Sequence, residues 1–263
     1  MSIWNTLEQA DKLATLEINS WHCSITDPVW AFFSDIPVWI PLYVAIVAFL
    51  IYRLGWKKGL LVVAGALLTF GFCDQFSNLI KGATERLRPL HDAYMLHNGL
   101  HVLENGGRNS FFSAHAANAF GLATCTLIGL RSATGKKYNW YAISMYIWAT
   151  LVAVSRIFVG KHFLGDVIVG TCVGLLAGYA FGSLAKLAIK KFCKKSQINF
   201  ADSKKSVIFA SAKRNGGIAQ LARAPALQAG GRRFDSDYLH QNQKAQLFSC
   251  AFFIAFQLKR VKR

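Results

Sequence analysis

Gly59-Leu-Leu-Val-Val-Ala-Gly-Ala-Leu-Leu-Thr-Phe-Gly-Phe-Cys-Asp74-Gln-Phe-Ser77-Asn-Leu-Ile-Lys81 is an apolar run that ends on a charged block, Lys81-Gly-Ala-Thr-Glu-Arg-Leu-Arg88-Pro89. About 20 such residues cross a hydrocarbon core of about 30 Å as a helix. The run therefore predicts a membrane span, from Gly59 to about Ile80. Asp74, Ser77 and Lys81 fall at i, i+3 and i+7, so one helix face carries all three toward the block. A carboxylate at that depth is costly unless it is paired or faces a polar cavity. For Asp74 a structural ion pair and a part in the chemistry weigh about equally.

Working outward, four more runs have span character. Ile36 to Tyr52 is uncharged and ends at Arg53, with Trp30, Trp39, Tyr43, Tyr52 and Trp56 placed as interfacial anchors. Ser110 to Leu130, Asn139 to Val154 and Val167 to Ile189 complete the set. The fold expected is all-α: a polytopic membrane helix bundle of about five spans over residues 31–195. Ahead of it, residues 1–30 hold Ile3, Trp4, Leu7, Ala10, Leu13, Ala14, Leu16 and Ile18 at helical spacing. That pattern predicts an amphipathic helix lying at the membrane surface or capping the bundle. Glu8, Asp11, Lys12 and Glu17 interrupt it, which is not the pattern of a signal peptide.

Composition agrees: 53% of the 263 residues are hydrophobic and 13% aromatic. The net charge of +17 is concentrated at one end. From Ala185 onward there are 17 Lys/Arg and 3 Asp/Glu, leaving 13 and 10 before it, so +14 lies in the tail and +3 elsewhere. The basic balance describes the tail and argues against nucleic acid as a partner. Residues 196–263 read as a disordered basic extension. Within it, Asn215 to Tyr238 resembles the conceptual translation of a transfer-RNA gene, the expectation being a reading frame run past an ancestral stop. The six cysteines form no CxxC pair and favour neither a zinc site nor a disulfide framework.

The turns Arg53–Lys58 and Arg131–Lys137 and the cluster Lys190–Lys195 share one side of the expected bundle, which the positive-inside rule makes cytoplasmic. The opposite face then carries three polar blocks. They are Lys81 to Pro89, Phe112-Ser113-Ala114-His115, and Ser155-Arg156 with His162 and Asp166. Residues 82–109 form a long polar connection on that face, the usual form of a lid or substrate wall. Its histidines, His91, His97 and His101, lack metal-ligand spacing and read as ordinary loop residues.

The inventory of the blocks suits phosphoryl transfer to nitrogen. On a helix His162 and Asp166 share a face, and a carboxylate holding one ring N–H leaves the other nitrogen free to attack phosphorus. His115 would protonate the leaving oxygen and then activate water. Lys81, Arg88 and Arg156 would balance the charge on the equatorial oxygens. Ser113 and the backbone N–H at Ala114, at a helix N-terminus, would add neutral donors. Taken singly, each has a bland reading: membrane-edge cations snorkel, and a lone interfacial His is incidental.

In combination, Lys-x6-Arg-Pro, Ser-x-His and Ser-Arg-x5-His-x3-Asp resemble the three-part signature of the type 2 phosphatidic acid phosphatase superfamily, which also includes the vanadium haloperoxidases. The resemblance covers residues 81–166 directly. It implies a metal-independent phosphohistidine mechanism with no cofactor, with a membrane lipid phosphate as substrate and the bilayer as setting. Candidates implied are undecaprenyl diphosphate, phosphatidylglycerol phosphate, phosphatidate and lipid A phosphate, hydrolysed at the outer face of a bacterial-type inner membrane. Where the family commonly reads Pro-Ser-Gly-His, this chain has Phe112 and Ala114. Where membrane members usually have six spans, five are legible. Two other readings carry less weight. A haloperoxidase relative is opposed by the uncharged spans, and a phosphate-binding protein without activity is opposed by the presence of His162.

Overall fold

The structure, a computed structural model, describes residues 3–192. The tail readings, including the transfer-RNA-like stretch, lie outside the described residues. Eight α-helices are present there: α1 Ile3–Ser20, α2 Asp27–Ser34, α3 Ile40–Leu54, α4 Trp56–Thr84, α5 Ala93–His97, α6 Ala114–Thr134, α7 Asn139–Phe158 and α8 Leu164–Phe192. Among the described residues the only strand-like pairing is a single antiparallel bridge, Leu87 to Asn109.

Four helical segments are long and apolar enough to cross a membrane: Pro37–Leu54, α4, α7 and α8. Leu67, Leu68, Phe72, Ile143, Ile147, Leu176 and Leu187 on three of them point outward, the disposition of lipid-facing side chains. The third expected span corresponds to α6, which packs against α3, α4 and α7. Twelve of its 21 residues are buried, and they are mainly Ala, Gly, Thr and Cys. A helix enclosed by its neighbours needs small residues for close approach more than it needs lipophilicity, which is why its composition is less apolar than the others'.

The backbones of α6 and α8 approach closely. Gly170, Gly174, Gly178 and Gly182 recur every four residues on α8. A methyl at Gly174 would lie 2.2 Å from the Ala117 carbonyl oxygen, and one at Gly178 would lie 2.5 Å from that of Gly121. The glycine stripe thus lets the two backbones touch, and it places the N-terminus of α8 against that of α6. The Ser113 N–H donates to the Asp166 carbonyl at 3.1 Å across this junction.

Helix polarity gathers the basic turns at one end. Arg53 donates to the Tyr138 hydroxyl at 3.2 and 3.4 Å, tying the α3–α4 corner to the α6–α7 corner. Gly55 and Gly135, with φ of 76° and 71°, end α3 and α6 there. The opposite end carries the three polar blocks.

The amphipathic helix expected at the amino terminus forms and caps this polar end, and its polar face is specific. Thr15 Oγ1 accepts from the Leu164 N–H at 2.9 Å, and Asp11 Oδ1 accepts from the Gly165 N–H at 2.7 Å. Those are orphan donors of the first turn of α8, so one helix caps another. Asn19 is fully buried. Its amide donates to the carbonyls of His101, Ile157 and Phe158 at 3.0, 3.0 and 3.2 Å, and its oxygen accepts from the His101 N–H at 2.8 Å. Asn19→Ala strands these buried backbone groups, at about 1–3 kcal/mol for each that finds no water. Thermal unfolding in detergent is expected to shift down by several degrees while the spans still insert; an unchanged transition would contradict the capping role.

The long polar connection is more ordered than its composition suggests. Residues 86–88 run beside 108–110, with the Arg88 N–H donating to the Arg108 carbonyl at 2.9 Å and the Ser110 N–H to the Arg86 carbonyl at 2.7 Å. Asp92 caps α5 by accepting from the Tyr94 and Met95 N–H groups.

Candidate active site

His162 stands in the turn between α7 and α8, not on a helix as its spacing from Asp166 suggested. Gly160, at φ +77°, makes the turn, and Asp166 occupies the third position of α8. From there its carboxylate reaches back to the Phe163 N–H at 3.0 Å, as the acidic partner of a capping box does. The same Oδ2 lies 3.4 Å from His162 Nδ1. The expected pair therefore forms, through helix capping rather than along a helix face.

Asp166 is wholly buried and heavily partnered. Besides His162 and the Phe163 N–H, it accepts from Ser110 Oγ and, on Oδ1, from Arg86 at 2.9 Å. Arg86 also binds Asp11 at 2.7 Å and lies over the Phe163 ring at 4.2 Å. A carboxylate held by this many donors stays ionised and fixed. His162 is buried as well. Burial, assisted by the Arg156 and Arg88 charges and opposed by Asp166, pushes its imidazole down to about 4. At neutral pH the ring is uncharged, so its second nitrogen keeps a lone pair.

Two of the three expected cations act on this histidine. Arg88 and Arg156 act electrostatically on His162, and Lys81 lies in range of Arg88, Arg156 and Asp166. His115, at the start of α6, feels His162, Arg156, Lys161 and Lys81. Arg156 is buried and donates to the Ser34 carbonyl at 3.1 Å and to the Ser34 hydroxyl. Its Nε is buried with no hydrogen-bond partner. Arg88 Nε donates to the Asn109 carbonyl at 3.1 Å.

Ser113 is placed differently from the free donor its motif suggested. It is fully buried, and its hydroxyl caps α6 by accepting from the Ala116 N–H at 3.4 Å. Ala114 and His115 instead line a cavity of about 240 Å³, together with Ser34, Asp74, Asn118 and the rings of Phe33, Trp39, Tyr43, Phe70 and Trp148. Asp74 accepts from Asn118 at 2.8 Å, so its partner is an amide rather than Lys81.

Five side chains at the site had not been singled out: Arg86, Ser110, Lys161, Glu104 and Ser34. Glu104 accepts from Ser34 at 3.1 Å and pairs with Lys161. Lys161 adjoins His162 in sequence, and Gly106 packs between it and Arg88. A methyl at Gly106 would lie 2.3 Å from Arg88 Nη1 and 3.5 Å from Lys161 Cε. Gly106→Ala should therefore displace the Arg88 guanidinium, lowering kcat/KM about tenfold while thermal unfolding stays unchanged. A one-bond loss of a charged phosphate contact has about that size. Equal rates would show that Arg88 does not touch the substrate.

The buried Arg156 and the partly buried Arg88 beside a neutral, carboxylate-oriented histidine, with His115 on an aromatic-lined cavity, form an arrangement suited to phosphoryl transfer. Comparison with known proteins agrees. The model of the PAP2 superfamily matches residues 59–188. A lipid A 4'-phosphatase of Bacteroides thetaiotaomicron is 29% identical over 182 residues, 68% of this chain and 78% of that protein. A lipid A 4'-phosphatase of Porphyromonas gingivalis is 32% identical over 168 residues, covering 62% and 68%. The crystal structure of a transmembrane PAP2 type phosphatidylglycerolphosphate phosphatase from Bacillus subtilis superposes with a TM-score of 0.56 at 24% identity, over 68% of this chain and 86% of that one. The chain belongs to the PAP2 superfamily, and it is a membrane lipid phosphatase in class.

Proposed function

We propose that this protein removes a phosphate monoester from a sugar-headed lipid of the lipid A type, through a phosphohistidine on His162. The observation that carries the chemistry is the buried His162–Asp166 pair set among Arg88, Arg156, Lys81 and Lys161. His162 Nε2 attacks phosphorus in line and a P–N bond forms. The bond from phosphorus to the lipid oxygen breaks, and His115 supplies the proton that oxygen needs. A water molecule then gives its proton to His115 and attacks phosphorus, the P–N bond breaks, and inorganic phosphate leaves. The cations stabilise the equatorial oxygens throughout, as a metal ion does in other phosphatases. Arg156 Nε, buried without a protein partner, is a donor suited to one of those oxygens.

The head group reading rests on the cavity beside His115. Its aromatic rings offer flat apolar faces, while Asp74 and Asn118 offer acceptors. Asn118 Oδ1 is buried with no partner, and a sugar hydroxyl or an amide N–H would satisfy it. The similarity to lipid A 4'-phosphatases of Bacteroides thetaiotaomicron and Porphyromonas gingivalis supports the same reading. The basic turns at the far end of the bundle support an active site on the outer, periplasmic face of an inner membrane.

Phosphate release by the full chain in detergent, against lipid A, phosphatidylglycerol phosphate, phosphatidate and undecaprenyl diphosphate, tests the assignment. The expected result is preference for lipid A, with initial rates indifferent to EDTA. Preference for a glycerophospholipid would overturn the head group reading and leave the mechanism standing.

A further inference from the structure

Asp166 divides its partners unevenly between its two oxygens. Oδ2 takes Ser110 Oγ, the Phe163 N–H at 3.0 Å and His162 Nδ1 at 3.4 Å. Oδ1, on the same wholly buried side chain, has Arg86 Nη1 at 2.9 Å as its one hydrogen-bond donor among the described residues. The other arm of that guanidinium, Nη2, meets Asp11 Oδ2 at 2.7 Å, and its central carbon lies 4.2 Å from the centre of the Phe163 ring. Asp11 is held in turn, its Oδ1 accepting from the Gly165 N–H at 2.7 Å. Gly165 permits the approach, since a methyl there would lie 2.9 Å from Asp11 Oδ2. Asp11, Arg86, Asp166 and His162 thus stand in one continuous line from α1 to the nucleophile.

We infer that Arg86 is a positioning residue for the nucleophile, and that Asp11 on the amino-terminal helix is the residue that orients it. The inference rests on the reading of His162 as the attacking group. The donors on Oδ2 hold one end of the Asp166 carboxylate and Arg86 holds the other, so its rotation is blocked from both ends and Oδ2 stays directed at His162 Nδ1. A guanidinium is a rigid planar fork, and it can do this only when its own plane is fixed. Asp11 fixes its edge and the Phe163 ring its face.

Charge works in the same direction. Arg86 stands between two carboxylates, and its loss would leave one oxygen of a buried anion without a donor. Without Asp11, Arg86 would keep one anion, and with 25% of its side chain exposed the fork could turn toward solvent. Both residues act through Asp166 rather than on phosphate. The amino-terminal helix is therefore part of the catalytic unit as well as a cap on α8.

The test uses the full chain in detergent. Arg86→Gln should lower kcat about 100-fold, the size of effect that a small misplacement of a reacting group produces, with KM changed less than about threefold. Asp11→Asn, whose amide oxygen can still accept from the Gly165 N–H, should lower kcat about tenfold. Because Asp11 acts through Arg86, the double variant should be no slower than Arg86→Gln alone, whereas a residue that merely capped α8 would multiply the two losses.

A second readout needs no turnover. In magnetic resonance spectra of protein with isotope-labelled histidine rings, the signals that disappear in His162→Ala should show, at neutral pH, an uncharged ring with its proton on Nδ1. In Arg86→Gln and in Asp11→Asn those signals should move toward a mixture of tautomers. Should Arg86→Gln not fold, Asp11→Asn carries the test through its own spectrum. Unchanged kcat in Arg86→Gln, a loss carried by KM, multiplied losses in the double variant, or an unaltered His162 tautomer in the folded variants would each overturn the inference. Because the tautomer is read without substrate, such a failure is distinct from that of the lipid phosphatase assignment, which would leave the expected tautomer in a wild type that releases no phosphate.

Discussion

His162→Ala is expected to lower kcat by about 10⁴-fold or more, the scale on which loss of a covalent nucleophile registers. The side chain is buried in the turn at Gly160, so its removal leaves a small cavity, and the Asp166 oxygen that faced it keeps Ser110 and the Phe163 N–H as donors. Insertion and monodispersity in detergent should therefore persist. The measurement is phosphate release at saturating substrate beside a thermal unfolding curve for each protein. A folded variant retaining more than about a hundredth of the activity would remove the covalent mechanism, because the oriented cations alone would then account for catalysis.

Asp166→Asn is the second large effect, expected to cost about 10²–10³-fold in kcat through tautomer and charge together. Asparagine keeps one acceptor oxygen and presents an NH2 group where the carboxylate accepted a second set of bonds. If the oxygen stays with Phe163 N–H and Ser110, the amide nitrogen opposes Arg86, which loses its 2.9 Å partner. If the amide turns over, it donates toward His162 Nδ1 and favours the tautomer with the proton on the attacking nitrogen. Either orientation harms catalysis. A readout that a purely structural role would not move is the split between kcat and KM. Substrate affinity, which the proposed mechanism assigns to Arg88, Arg156 and the lysines, should change little while kcat falls. A rise in KM with kcat intact would assign Asp166 to binding.

How much of this was legible follows from which forces act locally. Apolar length and flanking cations show in composition, so Gly59–Ile80 and its neighbours could be read as spans, and the lipid-facing side chains follow the same rule. The three blocks could be read as a candidate site because phosphoryl transfer needs particular residue types, and the residues of each block lie close in sequence. The contacts that orient them are long-range. Asp166 is served by Ser110 and Arg86, 56 and 80 positions away, and α8 is capped by Asp11 and Thr15 across about 150 residues. No periodicity reports such pairings.

Arg86 did leave a signal. In an extended segment alternate residues share a side, so Arg86 and Arg88 around the Leu87 bridge belong together, whereas a helix continuing from α4 would have separated them. Glu85, at φ 47°, is where that helix stops. Ser113 misled in the other direction. A Ser opening a helix is first a cap, and its hydroxyl is engaged as one. The α6 span was recognised by length, yet its Ala, Gly, Thr and Cys content already marked a helix enclosed by others rather than one facing lipid.

The most direct test of the central claim is to quench turnover of phosphorus-labelled lipid substrate in alkali and look for label on protein. Phosphohistidine survives alkali and is lost in acid, which separates it from phosphoserine. The expected result is an alkali-stable, acid-labile adduct that maps to His162, forms with wild type and is absent from His162→Ala. Label on another residue, or steady phosphate release with no adduct under conditions where hydrolysis of the intermediate is slowed, would contradict it.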